Sequence, residues 1–215
     1  MDIRLKQFIE DLITRYPELD TVKADICQAY DCLEQCFVHG GKLLTAGNGG
    51  SAADAEHIVS ELMKGFRLAR ELPESERDNL RETDTALGGV LAEQLQGALP
   101  AMAVTGHSAL TTAYMNDCDP RVCFAQQVYG LGQKDDVLLC ISTSGNSENI
   151  LFAAAAARAR GMRVIALTGG AENKLLAQSH ISIRVPQTET YKIQELHLPV
   201  YHCLCSMLEY RFFGM

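Results

Sequence analysis

No stretch of this 215-residue chain approaches 18 consecutive uncharged apolar residues, so no membrane-spanning helix is expected. The first residues, MDIRLKQFIEDLITRY, mix acidic and basic side chains and contain no apolar h-region. A secretory signal is therefore not expected, and the cytoplasm is the expected compartment. CxxC spacing is absent, although there are eight cysteines: Cys27, Cys32, Cys36, Cys118, Cys123, Cys140, Cys203 and Cys205. Cys140 lies inside an apolar strand-like run, and the set reads as buried free thiols rather than disulfides or a zinc cluster. A basic excess is also absent. The formal net charge is −8, which argues against nucleic acid as a partner. It leaves room for a small anion held by backbone N–H groups at helix N-termini. Neither a Walker lysine nor GxGxxG occurs, so no nucleotide cofactor is expected.

What is present is one sizeable core's worth of apolar residues, 47% of the chain, which makes a single domain the default. Residues 1–40 read as two helices, the second stopped by Gly40-Gly41. Alternation follows: strand-like KLLTAG, a helix over 52–64, PAMAVTG, the helix SALTTAYMN, the apolar run DDVLLCIS, and the helix SENILFAAAAARARG. MRVIALTG and HISIRVP complete the strands, and residues 189–211 form a last long helix. Alternating strands and helices imply parallel pairing, and runs such as VLLCI suit strands covered on both faces. The expected fold is α/β, a doubly wound, mainly parallel five-stranded sheet, with ligands at the carboxyl ends of its strands. Residues 66–99 exceed a minimal connection; a helix around 89–97 is expected, preceded by a mobile stretch.

Two strand-to-helix turns carry unusual chemistry. In AGNGGSAAD, Gly47, Gly49 and Gly50 let backbone approach a ligand closely, and Ser51 can cap the next helix or donate to an oxyanion. In ISTSGNSEN, Ser142, Thr143, Ser144 and Ser147 place four hydroxyls around Gly145. Hydroxyls and amides at a helix N-terminus suit a phosphate ester, while the same residue types also crowd ordinary turns and caps. His57 and Glu61 stand four apart on the helix after the first turn, where they can touch. They read as a catalytic or metal-binding pair, or as a surface or capping pair. On the last helix Gln194 and His202 lie roughly 12 Å apart along the axis, so joint ligation of one metal would need long reach, a bend at Pro199 or a second subunit. His197 is a competing histidine, otherwise a packed or solvent-facing helix residue.

GNGGSAADAEH and ISTSGNSENI resemble the two signature loops of the sugar isomerase (SIS) domain. With KIQELHLPVYH the chain is most similar to the phosphoheptose isomerases, over about residues 40–65 and 100–210. The resemblance implies a single flavodoxin-like SIS domain over residues 1–215, with an N-terminal helical segment 1–40 and an insertion 66–99. It implies a phosphosugar isomerase that turns sedoheptulose 7-phosphate into D-glycero-D-manno-heptose 7-phosphate. Ser142, Thr143, Ser144 and Ser147 would grip the phosphate, and Asn48, Gly49, Gly50, Ser51, Asn116, Asp117 and Gln194 would contact the substrate. Glu61 matches the catalytic glutamate and His202 the catalytic histidine. Some members bind zinc through positions matching His57, Glu61, Gln194 and His202, so zinc is the one metal implied. The family works as a homotetramer whose subunits complete one another's sites. Three departures concern sugar specificity: Tyr191 replaces an acidic residue, Lys64 and Arg67 stand where an arginine is displaced, and the 66–99 segment is long.

Aldose–ketose isomerisation moves a proton between adjacent carbons through an enediol, with one group at the carbon and another at the oxygens. A glutamate and a histidine brought towards neutrality by burial suit these roles. An isomerase of another sugar phosphate, or a non-catalytic SIS protein that binds a sugar phosphate or a protein partner, are the competing readings. Some relatives, including a replication regulator, lack the glutamate, and the presence of both Glu61 and His202 favours catalysis.

Overall fold

In a computed structural model, which describes residues 3–214, the chain folds around one sheet. Helices α1 (Ile3–Arg15) and α2 (Lys23–Val38) flank a 3-10 turn at Pro17–Val22. Strand β1 (Leu43–Ala46) then leads into α3 (Gly50–Met63), the insertion helices α4 (Glu74–Thr83) and α5 (Gly88–Gln94), and β2 (Ala101–Ala103). After α6 (Ser108–Asp117) and α7 (Cys123–Leu131) come β3 (Val137–Ile141), α8 (Glu148–Ala159), β4 (Arg163–Gly169), β5 (Ile181–Val185) and α9 (Thr190–Phe213). All strand pairs are parallel, in the order β2-β1-β3-β4-β5. This is the doubly wound, flavodoxin-like order, whose direction of winding reverses between β1 and β3.

The alternation of side chains across the sheet sorts the core into two layers. Leu43, Leu139, Ile141, Ile165, Leu167 and Ile183 face α1, α2, α3 and α9. Leu44, Ala46, Leu138, Cys140, Val164 and Ala166 face α7 and α8. In α8, Ala153, Ala154 and Ala157 are fully buried, and their small size lets the helix axis lie close on the sheet. Every residue of β1 and β3 is buried, as expected of strands with helices on both faces.

Two stretches differ from the sequence expectation. Residues 74–83, expected to be mobile, form α4, which buries no residue. Its sequence, ESERDNLRET, carries no apolar stripe. Ion pairs of Arg77 and Arg81 with Glu74, and of Arg81 with Asp78, knit it locally instead. The helix expected at 89–97 runs over Gly88–Gln94. Helix α7, not anticipated, is short, and Pro120 starts a separate 3-10 turn just before it. All eight cysteines are free thiols, and no helix among the described residues is long and apolar enough to cross a membrane.

Candidate active site

The two signature turns follow β1 and β3, the strands that flank the switch point, where ligands bind in open α/β sheets. Gly49 takes a positive φ of 56° just before α3, and an exchange of amide hydrogen bonds joins the turns: Asn48 Nδ2 donates to Asn149 Oδ1 at 2.9 Å, and Asn149 Nδ2 to Asn48 Oδ1 at 2.8 Å. In the second turn Ser142 is buried, and its Oγ accepts the Gly145 N–H at 3.1 Å. Gly145 has φ 61°, and a Cβ there would lie 2.1 Å from Asn173 Oδ1, so only glycine fits. Ser144 is exposed, Thr143 and Ser147 half-buried. No side chain caps α8 at Ser147, so its hydroxyl and the first-turn amides are not committed to a local cap. The arrangement is a short cradle of hydroxyls and N–H groups at the positive end of a helix, apt for an anion.

Gln194 also belongs to this end of the molecule, since a Cβ on Gly50 would meet its Nε2 at 2.6 Å. Ser51 is buried in the first turn of α3. Asn116 and Asp117 are exposed at the end of α6, where Asn116 Nδ2 donates to Asp117 Oδ1 at 2.9 Å. Among the described residues neither forms a hydrogen bond to the serine turn. The closest link is Arg121, whose Nη1 stands 3.8 Å from a carboxylate oxygen of Glu148, the first residue of α8.

Helices α3 and α9 lie side by side, and farther along them three candidate residues gather. His57 Nε2 is 3.0 Å from Glu61 Oε1. The rings of His57 and His202 cross edge to face with centroids 5.0 Å apart. Glu61 is buried; its other oxygen, Oε2, has no hydrogen-bond partner and lies 3.7 Å from Lys64 Nζ. His202 Nε2 is likewise buried and unpartnered. Burial, and then the neighbouring His57, push His202 below its ordinary value, which favours neutral imidazole at pH 7. His202 also lines a cavity of about 540 Å³ between α1 and α9, together with Phe8, Arg15, Phe66, Arg67 and Ser206. His197, the competing histidine, points elsewhere: it is fully buried and neither ring nitrogen has a partner.

Two residues of this cluster were not anticipated. Tyr201 donates its phenol proton to Asp54 Oδ1 at 3.2 Å, and its oxygen lies 3.0 Å from His57 Nδ1. With that proton committed to Asp54, Nδ1–H of His57 donates to the phenol oxygen. The second imidazole nitrogen and Glu61 Oε1 then share one hydrogen bond. Burial raises both the Asp54 carboxyl and the Tyr201 phenol, so the phenol keeps its proton. The signal in the sequence was faint: Asp54 precedes His57 by three residues, on the same helical face.

The four positions expected to hold zinc are not all brought together. His57, Glu61 and His202 meet, while Gln194 sits at the glycine turn. Both ring nitrogens of His57 are engaged, and no three His, Cys, Asp or Glu side chains among the described residues converge on one metal position. The donor chemistry suits zinc, but the placement of these side chains does not.

A model of the SIS domain matches residues 81–169, a segment that holds the serine turn but not Glu61. The whole chain is covered by closer relatives. It is 38% identical over 213 residues to a phosphoheptose isomerase of Alkalilimnicola ehrlichii, spanning 98% of this chain and 95% of that protein. The chain belongs to the phosphoheptose isomerase family. A second family member, from Chromohalobacter salexigens, is 40% identical over 189 residues, 86% of this chain and 83% of that one. Among solved structures, a phosphoheptose isomerase from Francisella tularensis superposes with a TM-score of 0.74 at 34% identity, covering 95% of this chain and 96% of its own. Phosphoheptose isomerase GmhA from Neisseria gonorrhoeae gives 0.69 at 33% identity, with 96% and 92% covered. Membership makes the chain a phosphosugar isomerase.

Proposed function

We propose that this protein isomerises sedoheptulose 7-phosphate to D-glycero-D-manno-heptose 7-phosphate, with Glu61 and His202 as its catalytic residues. The observation that carries the reading is the pair of buried polar atoms without hydrogen-bond partners, Glu61 Oε2 and His202 Nε2, whose residues both touch His57, in a chain of this family. Buried polar groups are ordinarily paired, and a substrate that supplies an acidic C–H and a carbonyl oxygen would satisfy both. Glu61 takes the proton from C1 of the ketose and returns it to C2. His202 gives the proton on its unpartnered ring nitrogen to the C2 carbonyl oxygen as the enediol forms and takes the C1 hydroxyl proton back as the aldehyde forms, so the imidazole ends as it began and atoms and charge balance. His57, held by Tyr201 and Asp54, takes the proton that Glu61 must shed to act as a base. The serine turn binds the phosphate, with Asn48, Gly49, Gly50, Ser51, Asn116, Asp117 and Gln194 as further substrate contacts. Binding energy far from the reacting carbons then orients them.

The functional unit in this proposal is a homotetramer whose neighbouring chains complete each site. Glu61 follows Gly50 by eleven residues of α3, about 16 Å along the axis. From C2 to phosphorus the substrate spans only about 9 Å, at bond lengths near 1.5 Å. The resemblance to enzymes whose subunits complete one another's sites supports this reading. Zinc, implied by the resemblance, would be held by His57, Glu61 and His202 only after His57 had released one of its hydrogen bonds, and no step of the proposed reaction passes through it. The cytoplasm is the compartment proposed for the reaction.

The test is incubation with sedoheptulose 7-phosphate, with the product identified by NMR and a chelator added in parallel. Wild-type turnover is expected, with Glu61→Gln and His202→Ala folded and slower by about 10²- to 10⁴-fold. Wild-type rates in either variant would remove that residue from the scheme. Full activity in the metal-free protein would remove zinc.

A further inference from the structure

The 66–99 insertion is fastened to the body of the protein by one buried cation. Arg70 is 2% exposed. Its Nη2 donates to the Glu61 carbonyl at 2.7 Å, Nη1 to the Leu62 carbonyl at 2.6 Å, and Nε to Glu209 Oε1 at 2.9 Å. The guanidinium also lies 4.7 Å from the centroid of the Phe213 ring. Glu209 is 1% exposed and accepts the Phe66 N–H at 2.7 Å and the Arg67 N–H at 2.8 Å besides Arg70. A buried ion pair holds only when its remaining polar atoms are satisfied, and Glu209 meets that condition with three donors on two oxygens. Burial alone would raise its carboxyl, but the two amides and the guanidinium together hold it below its ordinary value.

Helix α3 ends at Met63, so the carbonyls of Glu61 and Leu62 are among those with no partner inside the helix. A cation there also faces the negative end of the helix dipole. The cap is not placed on arbitrary carbonyls, for one of them belongs to the residue whose side chain is the base. We propose that Arg70 and Glu209 are positioning residues for Glu61: the guanidinium fixes the last turn of α3, and with it the direction of the Glu61 carboxylate towards His57 and His202. The inference rests on the reading of Glu61 as the base. The same clamp gathers the two ends of the insertion, since the Gly97 N–H donates to the Arg70 carbonyl at 2.7 Å and the Gly65 N–H to Gln96 Oε1 at 2.7 Å.

The experiment compares Glu209→Gln and Arg70→Lys with the full-length wild type, using NMR-monitored rates on sedoheptulose 7-phosphate and circular dichroism for the fold. Phe213→Leu is the control, because it removes the ring packed against the guanidinium and leaves every hydrogen bond of the cap in place. Expected is a fall in kcat of about 10- to 100-fold with KM within about twofold, and a kcat in Phe213→Leu within about twofold of wild type. A folded Glu209→Gln or Arg70→Lys with wild-type kcat would overturn the proposal. So would a loss confined to KM, or an equal loss of kcat in Phe213→Leu. Should both charge variants fail to fold, the double replacement Arg70→Met, Glu209→Leu exchanges the pair for apolar volume. It is then held to the same kcat and KM criteria. A wild type that never turns over the sugar phosphate contradicts the function instead. Normal wild-type turnover with unaffected variants contradicts the clamp alone.

Discussion

Protonation of His197 should destabilise this protein as the pH falls below neutrality. The ring is fully buried, with no hydrogen-bond partner at either nitrogen. Burial pushes its pKa down from 6.5 to about 4, and the adjacent Thr168 backbone offsets only part of that penalty. In the unfolded chain the ring titrates at its ordinary value. Between pH 6.5 and 4 the unfolded state therefore binds more protons than the folded state, and stability rises with pH across that window. Stability is fully present above pH 6.5 and is lost as pH falls towards 4. The shift of about 2.5 units corresponds to about 3 kcal/mol in total, of which about 2 kcal/mol is already lost at pH 5. The assay is urea unfolding at pH 7, 6 and 5, at one fixed protomer concentration because assembly shifts apparent stability. His197→Met, close in volume and free of ionisable groups, should lose about 2 kcal/mol less than wild type between pH 7 and pH 5. At pH 7 it should be no less stable, since it removes two polar atoms that have no partners. Parallel stability curves for the two proteins would refute the argument.

Tyr201→Phe should lower kcat by about tenfold and leave KM within about twofold, because it frees the His57 tautomer without touching the serine turn; an unchanged kcat would show that the Asp54–Tyr201 chain holds nothing of consequence. Mixed assemblies of Glu61→Gln chains with Ser144→Ala chains should recover activity that neither parent has, if one chain's turn serves another chain's base. Hybrids with no more activity than their parents would confine each site to a single chain.

The elements that hold the site were legible because their physics is local. Runs such as VLLCI and VIALT can only be strands covered on both faces, and the turns after β1 and β3 carried glycines and hydroxyls in plain order. Alternation put those turns at the carboxyl ends of the strands, and the strand order then placed them on either side of the switch point. Helix α4 was not legible, since it buries nothing and has no apolar period to detect. The Asp54–Tyr201 and Arg70–Glu209 contacts were not legible either. They join residues more than a hundred positions apart, and no spacing rule reaches across such a gap. Glu209 read as one more charge on the last helix, and Arg70 as one of several cations in a charged excursion.

Helix α3 shows why the missing information was geometric rather than chemical. Its first turn forms one wall of the anion-binding end, and its last turn carries Glu61. Both roles were expected from motifs, yet a helix is a rod of fixed rise, so its two ends stay about 16 Å apart however the loops move. Gln194 and His202 repeat the pattern on α9, which runs unbroken through Pro199. Gln194 meets the glycine turn, and His202 meets His57. Two helices side by side thus separate the glycine turn from the cluster of Glu61, His57 and His202. In the proposed assembly, neighbouring copies of the chain complete each site. On that proposal association is a condition of catalysis, and substitutions that separate the chains should abolish turnover even where each folded chain keeps Glu61, His57 and His202 together.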